Sequence, residues 1–193
     1  NRIYNSGPQS LVETFNYVIS GKGKRIRPLL TILTSKSLFN DFDKSYNAAL
    51  AVEILHNFTL VHDDIMDDDS LRHGKETVHN KWDNSTALLT GDLMLAKSLK
   101  ILSDSNYNDK VIKSFNSALV AVCEGQALDK EFESIENIST DDYYKMIEKK
   151  TSNLIAMPIE IGALAYDYPD DQCNHLFNYG LNIGKAFQIN DDY

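Results

Sequence analysis

The stretch of the sequence best suited to chemistry is a cluster of five aspartates between Asp63 and Asp69, in the run VHDDIMDDDSLRHG. An apolar segment precedes the cluster, and helical spacing puts Asp63 with Asp67 on one face and Asp64 with Asp68 on the next. Carboxylates paired on one helical face are the hard oxygen ligands that Mg²⁺ or Mn²⁺ prefers. Because Mg²⁺ takes one or two protein carboxylates and adds water and phosphate oxygens, the cluster favours a metal-bridged phosphate site.

Two other structures could account for the acidic cluster, an EF-hand calcium loop and a solvated helix end. An EF-hand requires glycine at the sixth loop position and glutamate at the twelfth. Counted from Asp63, these positions hold Asp68 and Gly74, so the EF-hand is excluded. The solvated helix end stays open, because runs of like charge most often face water.

Basic residues lie on both sides of the acidic cluster. The run GKGKRIRP, just ahead of a predicted helix start, supplies Lys22, Lys24, Arg25 and Arg27. At such a place the free backbone N–H groups and the helix dipole add to the cations in favouring phosphate. The spacing of a P-loop is absent. Together with Arg72, which follows the acids, this set suits a protein with two phosphorylated ligands, although alone it also fits a solvated basic turn.

A second acidic pair, Asp191 and Asp192, follows an apolar helical run near the end of the chain. Two apolar helices that each end in paired aspartates suggest carboxylates presented from two helices across one cavity. A frayed acidic terminus is the alternative that this piece alone leaves open.

Helical periodicity dominates the chain, and no convincing alternating strand pattern is present. Pro8 and Pro28 suit helix starts, and a long helix is predicted over Ser45–Asp69. The run LRHGKETVHNKW is predicted to be a loop. Further helices are predicted over residues 85–102, 109–132, 140–150, 151–166 and 170–193. Pro158 is expected to kink or break its helix, and seven or eight helices with short connections predict an all-α bundle.

Composition and charge narrow the classes of function. The chain has 193 residues, of which 42% are hydrophobic, enough for one domain with a sizeable core. The net charge of −9 argues against a nucleic-acid surface as the main partner. No apolar run reaches the roughly 18 residues of a membrane span. There is no N-terminal apolar signal, and Cys123 and Cys173 suggest neither a disulfide framework nor a zinc site. A cytosolic protein is expected.

Several of these runs together resemble the trans-isoprenyl diphosphate synthases, the polyprenyl synthetase family. GKGKRIRP resembles G-G-K-R-x-R-P, DDIMD matches the first aspartate-rich motif, and LRHGKETVH resembles L-R-R-G-x-x-T-x-H. GDLMLAKS, EGQALD, KKTSNLI and FQINDD follow in the family's order. The resemblance covers essentially the whole chain. It implies the isoprenoid synthase fold, a single all-α helical bundle around a deep central cavity, over residues 1–193.

The resemblance implies a Mg²⁺-dependent prenyltransferase that joins isopentenyl diphosphate to an allylic diphosphate, with Mn²⁺ as the alternative ion. The implied catalytic residues are Asp63, Asp64, Asp67, Lys150 and Gln188. The implied metal ligands are Asp63, Asp67 and Asp191. Isopentenyl diphosphate would be bound by Lys24, Arg27, His56 and His73. The allylic diphosphate would be bound by Arg72, Lys150, Thr151 and Gln188. No nucleic acid is expected as a partner, and a homodimer is.

The chain departs from the family pattern at one residue and at its end. His73 stands where the family usually has a second arginine. An imidazole lacks the bidentate fork of a guanidinium, which predicts weaker binding of isopentenyl diphosphate. The family's later helices would follow Tyr193, so the chain is expected to lack them and to be defective alone.

Phe58 and Thr59 lie five and four residues before Asp63. By the family resemblance, these two residues imply the product length. In the family, an aromatic residue at the position of Phe58 is associated with short products. Thr59, the next residue, has a small side chain. Geranylgeranyl diphosphate, with 20 carbons, is therefore favoured over farnesyl diphosphate, with 15.

Three other functions compete with this one. A terpene cyclase also uses an aspartate-rich motif, but it takes no second diphosphate, and GKGKRIRP together with His56 speaks against it. A non-catalytic subunit of a heteromeric prenyltransferase tends to lose the metal-binding aspartates, whereas Asp63, Asp64 and Asp67 are present. A plain metal-binding helical protein is the third.

Overall fold

The computed structural model describes residues 4–193. Their regular structure is helical apart from two very short strands, which confirms the predicted all-α class. In chain order the helices are α1 (Gln9–Ile19), α2 (Ile26–Phe39), α3 (Tyr46–Met66), α4 (Val78–Lys81), α5 (Asn84–Ser103), α6 (Asp109–Phe132), α7 (Thr140–Ile147), α8 (Asn153–Leu164) and α9 (Asp170–Asp191). A 3₁₀ turn (Asp43–Ser45) precedes α3, and a π-helical turn (Glu148–Ser152) joins α7 to α8.

These elements form two compact units. The first unit comprises the chain up to Arg25 together with Leu50–Asp104, and the second comprises Ile26–Ala49 together with Ser105–Tyr193. The first unit therefore holds α1, most of α3, α4 and α5. The second holds α2, the start of α3 and α6 to α9. The assignment of residues 1–193 to one domain stays a prediction.

Local capping explains why several helix bounds were predicted closely. Asn108 accepts hydrogen bonds from the backbone N–H groups of Lys110 and Val111, so α6 begins at Asp109 as expected. Asp83 accepts from the N–H of Thr86 and starts α5 one residue earlier than predicted. A side-chain oxygen at the cap satisfies N–H groups that have no partner within the helix.

The prediction of a loop over the run LRHGKETVHNKW was wrong in part. Strands β1 (Leu71–Arg72) and β2 (Lys75–Glu76) pair antiparallel, and α4 follows directly. The connecting residues His73 and Gly74 have φ values of 50° and 77°. Positive φ at both central residues is the signature of a tight type I′ turn, whose twist matches that of paired strands. The strands are too short to leave an alternating pattern in the sequence.

The first unit is held together by contacts of α1 with α5 and with the hairpin. Val12 and Phe15 of α1 and Met94 of α5 are buried where these helices pack. The hydroxyl groups of Thr14 and Thr90 lie 2.7 Å apart within the same interface. The hydroxyl of Tyr17 in α1 donates to the backbone carbonyl of Glu76, at 2.8 Å, and so ties the hairpin to the unit.

Helix α8 forms the centre of the second unit and packs against both α2 and α9. Every residue of its run from Leu154 to Ile159 is buried, including Pro158. The helix continues through Pro158 without a break, so a break at this proline, one of the two outcomes expected, does not occur. The hydroxyl of Ser35 in α2 donates to the carbonyl of Gly162, at 2.7 Å. Close packing on two sides holds α8 together despite the missing N–H.

Among residues 4–193, no helix is long and apolar enough to cross a membrane.

Candidate active site

The acidic cluster lies at the carboxyl end of α3, where the helix ends earlier than predicted. The N–H of Asp67 still donates to the carbonyl of Asp63, at 2.9 Å, so these carboxylates lie one turn apart on one face. Asp68 has a φ of 54°, and the N–H of Asp69 donates to the carbonyl of Asp64, at 3.0 Å. This left-handed residue and the bond over five residues end the helix as a Schellman motif. Asp63 is half-buried and Asp67 is exposed.

Asp64 lies on a different side of α3 and has a different environment. Its side chain is only 7% exposed and forms an ion pair with the guanidinium of Arg72 on β1. The other side of the guanidinium lies 3.4 Å from a carboxylate oxygen of Asp69. Burial raises the pKa of the Asp64 carboxyl, and the hydrogen bond and charge of Arg72 oppose that rise. The acidic cluster is therefore tolerated in part because the positive charge of Arg72 lies close to two of its members.

Further contacts connect the hairpin segment to the acids. The hydroxyl of Thr77, which is buried, donates to the carbonyl of Asp69, at 2.7 Å. His79 Nε2 lies 3.8 Å from a carboxylate oxygen of Asp68. His73 is exposed at the tip of the turn. The segment after α3 thus presents Arg72 beside the acids and His73 to solvent.

In the run GKGKRIRP, Arg25 has a mainly structural role. Its φ is 54°, and its guanidinium pairs with the carboxylate of Glu53 on α3. The same group donates to the carbonyls of Ile19, the last residue of α1, and of Gly21, at 2.7 and 2.6 Å. Lys24, next to it in the first unit, is exposed. Arg27 belongs to the second unit, where it is half-buried in the first turn of α2.

Three further predicted residues lie on α3 ahead of the acids. The hydroxyl of Thr59 donates to the carbonyl of His56, at 2.8 Å, and both side chains are half-buried. Thr59 is four residues before Asp63 and shares its face, whereas Phe58 lies about 140° away from Asp63 around the helix. Phe58 is 7% exposed and packs against His62.

In the second unit, the π-helical turn carries Lys150 and Thr151. The ammonium of Lys150 lies 2.5 Å from a carboxylate oxygen of Asp129 on α6. A Cβ atom at Gly125 of α6 would overlap the backbone at Lys150, so only glycine allows α6 to approach this turn. Wide turns of this kind occur often at functional sites. Here the turn directs Lys150 toward Asp129 and Thr151 toward α9.

A chain of hydrogen bonds continues from the π-helical turn to the end of α9. The hydroxyl of Thr151 donates to the amide oxygen of Gln188, at 2.7 Å, and the Gln188 amide nitrogen donates to Asp192, at 2.7 Å. Asp192 also accepts from the hydroxyl of Tyr143 on α7, at 2.5 Å, which raises the pKa of Tyr143 to about 12. Asp191, the last residue of α9, is exposed. Thr151 and Gln188, both predicted site residues, are therefore in direct contact.

A family model described as polyprenyl synthetase matches residues 8–193. The chain belongs to the polyprenyl synthetase family. This confirms the resemblance drawn from the motifs.

Individual relatives and solved structures agree with this assignment. The geranylgeranyl diphosphate synthase of Saccharolobus solfataricus is 40% identical over 190 residues, covering 95% of this chain and 57% of the relative. A crystal structure of a geranylgeranyl pyrophosphate synthase has a TM-score of 0.95 at 40% identity, covering 100% of this chain and 59% of that one. The enzyme of the archaeon Geoglobus acetivorans has a TM-score of 0.93 at 37% identity, covering 97% and 62%. This polyprenyl synthetase chain thus spans about three fifths of the length of these proteins.

In this polyprenyl synthetase, the carboxylates of Asp63 and Asp67 could bind a metal ion that is also coordinated by water and by phosphate oxygens of a ligand. Within the described part of the chain, no group of three or more His, Cys, Asp or Glu side chains forms a ready-made cation site. Asp63 and Asp67 offer two carboxylates one turn apart. Mg²⁺ usually takes one or two protein carboxylates and keeps positions for water and phosphate oxygens. The donor set therefore fits Mg²⁺, or Mn²⁺, held jointly with a phosphorylated ligand.

Two contacting residues of this polyprenyl synthetase were missed by the analysis of its sequence. Asp129 ends the run EGQALD and pairs with Lys150, and Tyr143 donates to Asp192. The run EGQALD was recognised as a family landmark, which was a signal for Asp129. Nothing in the sequence around Tyr143 indicated its partner, which lies 49 residues away.

Proposed function

We propose that the protein is a Mg²⁺-dependent prenyltransferase that joins isopentenyl diphosphate to an allylic diphosphate. The observation that supports this most is the end of α3. There Asp63 and Asp67 lie on one face, while Asp64, on another side of the same helix end, forms an ion pair with the guanidinium of Arg72. Acids for a metal and a cation for phosphate oxygens are thus supplied by one short segment of the first unit.

The chemistry breaks a carbon–oxygen bond and a carbon–hydrogen bond, forms a carbon–carbon bond and moves a double bond. The carbon–oxygen bond of the allylic diphosphate breaks and releases diphosphate. The double bond of isopentenyl diphosphate attacks the allylic carbon and forms the new carbon–carbon bond. A carbon-bound proton then passes to the released diphosphate, and its bonding electrons form the double bond of the product. Asp63 and Asp67 would hold Mg²⁺ in the first unit, and bound Mg²⁺ would supply positive charge to the leaving diphosphate. Asp191, of the second acidic pair, is proposed as a Mg²⁺ ligand of the second unit. Asp64 acts through Arg72, whose position it holds.

The polar groups of the chain bind and orient the two diphosphates. Arg72 donates N–H groups to the allylic diphosphate, and donors held in place before the reaction stabilise developing charge without reorganising. For the second unit, Lys150, Thr151 and Gln188 are proposed to bind diphosphate oxygens of the allylic substrate. Their contacts with Asp129 and Asp192 support this role, because they hold the donors in defined positions.

Isopentenyl diphosphate is the second ligand in this proposal. Lys24 and His56 are proposed as its binding residues in the first unit. Arg27 is proposed as a residue of the second unit that binds isopentenyl diphosphate. His73 adds an imidazole from the tip of the hairpin. The exposure of Lys24 and His73 supports a role in contacting a ligand.

We also propose a homodimer, which sedimentation velocity would test.

For the product we propose geranylgeranyl diphosphate, with farnesyl diphosphate as the alternative. The relatives from Saccharolobus solfataricus and Geoglobus acetivorans are both named for the geranylgeranyl product. Phe58, a large buried ring on α3, supports a short product, and the small Thr59 leaves room for the fourth isoprene unit.

The direct test incubates the full-length protein with Mg²⁺, radiolabelled isopentenyl diphosphate and one allylic primer at a time. Dimethylallyl, geranyl and farnesyl diphosphates are expected to give one dephosphorylated product of 20 carbons. Cyclic hydrocarbons made without isopentenyl diphosphate would indicate a terpene cyclase. Activity that appears only with a second protein would indicate a subunit of a heteromeric enzyme.

Replacing Phe58 by alanine is expected to lengthen the product. The change removes a buried ring that, in the proposed function, ends chain growth after a few isoprene units. Products of 25 carbons or more are therefore expected, while Mg²⁺ dependence stays near that of the parent. Chromatography of the dephosphorylated products measures the change. An unchanged product length would show that another residue limits growth.

A further inference from the structure

One imidazole connects Phe58 to the neighbouring helix α5. The ring centroids of Phe58 and His62 lie 4.8 Å apart with an interplanar angle of 64°, an edge-to-face contact. His62 Nε2 lies 3.3 Å from the carbonyl oxygen of Leu88 and 3.8 Å from a carboxylate oxygen of Asp92. Phe58 and His62 are four residues apart and share a face of α3. The ring of Phe58 therefore contacts a side chain whose far edge lies against α5.

A glycine in the middle of α5 makes room for this imidazole. A Cβ atom at Gly91 would overlap the ring of His62, at its Nε2 and Cδ2 atoms. Glycine inside a helix is less favourable than alanine, so its presence there calls for a packing reason. Gly91 is itself buried. Because Gly91 has no side chain, the imidazole of His62 packs directly against the backbone of α5.

This contact limits where the ring of Phe58 can lie. The side chain of His62 is 22% exposed, and Phe58 is 7% exposed. A buried aromatic ring moves only when a neighbour gives way, because interiors are packed nearly as densely as organic crystals. The imidazole is the aromatic group in contact with Phe58. Its removal would open space beside Phe58 on the side of α5.

We infer that His62, seated against Gly91, is a positioning residue that holds the ring of Phe58 and thereby sets the length of the prenyl product. The inference rests on the proposed function, in which Phe58 ends chain growth. It depends on the volume and flatness of the imidazole ring and not on its charge.

Two substitutions at His62 separate the ring from its polar contact. His62→Phe keeps a flat ring beside Phe58 and loses the polar contact with Leu88. His62→Gln keeps a polar group able to donate to that carbonyl and loses the ring. We expect His62→Phe to retain the parent's product. We expect His62→Gln to raise the ratio of products one isoprene unit longer by about tenfold, the discrimination that a small change of pocket volume commonly gives.

A third variant tests the same contact from α5. Gly91→Ala adds a methyl group where the imidazole lies and is expected to press His62 toward Phe58. The ratio of products one isoprene unit shorter should therefore rise. This variant keeps the inference testable if His62→Gln does not fold, which circular dichroism and thermal melting of each variant would reveal.

The double variant Phe58→Ala/His62→Gln shows whether His62 acts through Phe58. If it does, His62→Gln should add nothing to the product length that Phe58→Ala gives alone. A further lengthening in the double variant would mean that His62 lines the cavity itself and would overturn the positioning role. A general loss of stability would lower the yield of all products and leave their ratio unchanged.

The failure of this inference and the failure of the proposed function give different results. If the parent protein makes no prenyl diphosphate, the proposed function is wrong and the inference falls with it. If the parent makes its product and both His62→Gln and Gly91→Ala leave the length unchanged, the function stands and the role of His62 is refuted.

Discussion

Replacing Asp63 by asparagine is expected to lower kcat by at least about 100-fold, the scale on which losing one preorganised electrostatic contact acts in other enzymes. The amide has nearly the shape of the carboxylate but lacks its charge, so its attraction for Mg²⁺ is lost. The backbone hydrogen bond from Asp67 to Asp63 does not involve the side chain and should persist. Steady-state kinetics over a Mg²⁺ titration would measure the loss, and circular dichroism should show unchanged helix content.

Asp68→Asn is the matched control for this change. It removes the same charge from the same cluster, at an exposed residue whose φ of 54° asparagine tolerates well. Turnover close to that of the parent is expected. Normal turnover in Asp63→Asn would refute the metal role of Asp63. An equal loss in both variants would mean that only the overall charge of the cluster matters.

Replacing Arg72 by glutamine is expected to destabilise the fold as well as to weaken binding of the allylic diphosphate. The change leaves the carboxylate of Asp64, 7% exposed, without its cationic partner. Breaking a buried ion pair from one side costs about 3 kcal/mol or more. The partly exposed position of Arg72 puts the expected loss at the lower end. Urea unfolding at pH 7 would measure this change in the free energy of unfolding.

The loss caused by Arg72→Gln should depend on pH in a defined direction. Burial already raises the pKa of Asp64, and removing Arg72 takes away the effect that opposes the rise. A carboxyl whose folded-state pKa lies above its unfolded value contributes stability at low pH and loses it as the pH rises through the folded-state pKa. The destabilisation relative to the parent should therefore be small near pH 4 and larger at pH 8. The opposite trend would contradict the burial of an unpaired carboxylate.

The double variant Arg72→Gln/Asp64→Asn separates stability from function. A neutral amide next to a neutral amide leaves no buried charge, so most of the lost stability should return at pH 8. Activity should not return, because the guanidinium that we propose to bind phosphate oxygens is still missing. Recovery of activity together with stability would show that Arg72 serves only the fold.

The predictions from sequence are correct where the cause of the structure is local. Helix α6 begins at Asp109 because Asn108, its immediate neighbour, caps it. The pairing of Asp63 with Asp67 on one face follows from helical geometry alone. The motifs that defined the family are likewise short runs of adjacent residues, and the family assignment drawn from them is confirmed.

The predictions are wrong where a structure is caused by two consecutive left-handed residues or by a residue distant in the chain. The hairpin was predicted as a loop because its strands have two residues each and its turn is His73-Gly74, not the commoner Asn-Gly. The helix predicted to run from residue 140 to 150 gives way to a π-helical turn at Glu148, where α6 approaches at Gly125. Helix propensities of single residues contain no information on how closely another helix packs against them.

By itself, the sequence of this protein determined its all-α class, most of its helix ends, its family and the spacing of its carboxylates. These properties depend on hydrophobic period, on capping and on residue order, which act within one or two turns. Only the tertiary structure decided which charges are paired. Asp64 is buried with Arg72, Arg25 binds Glu53, and Lys150 is held by Asp129. These ion pairs join residues that are 8, 28 and 21 positions apart in the chain. They depend on distances that appear only when the segments pack.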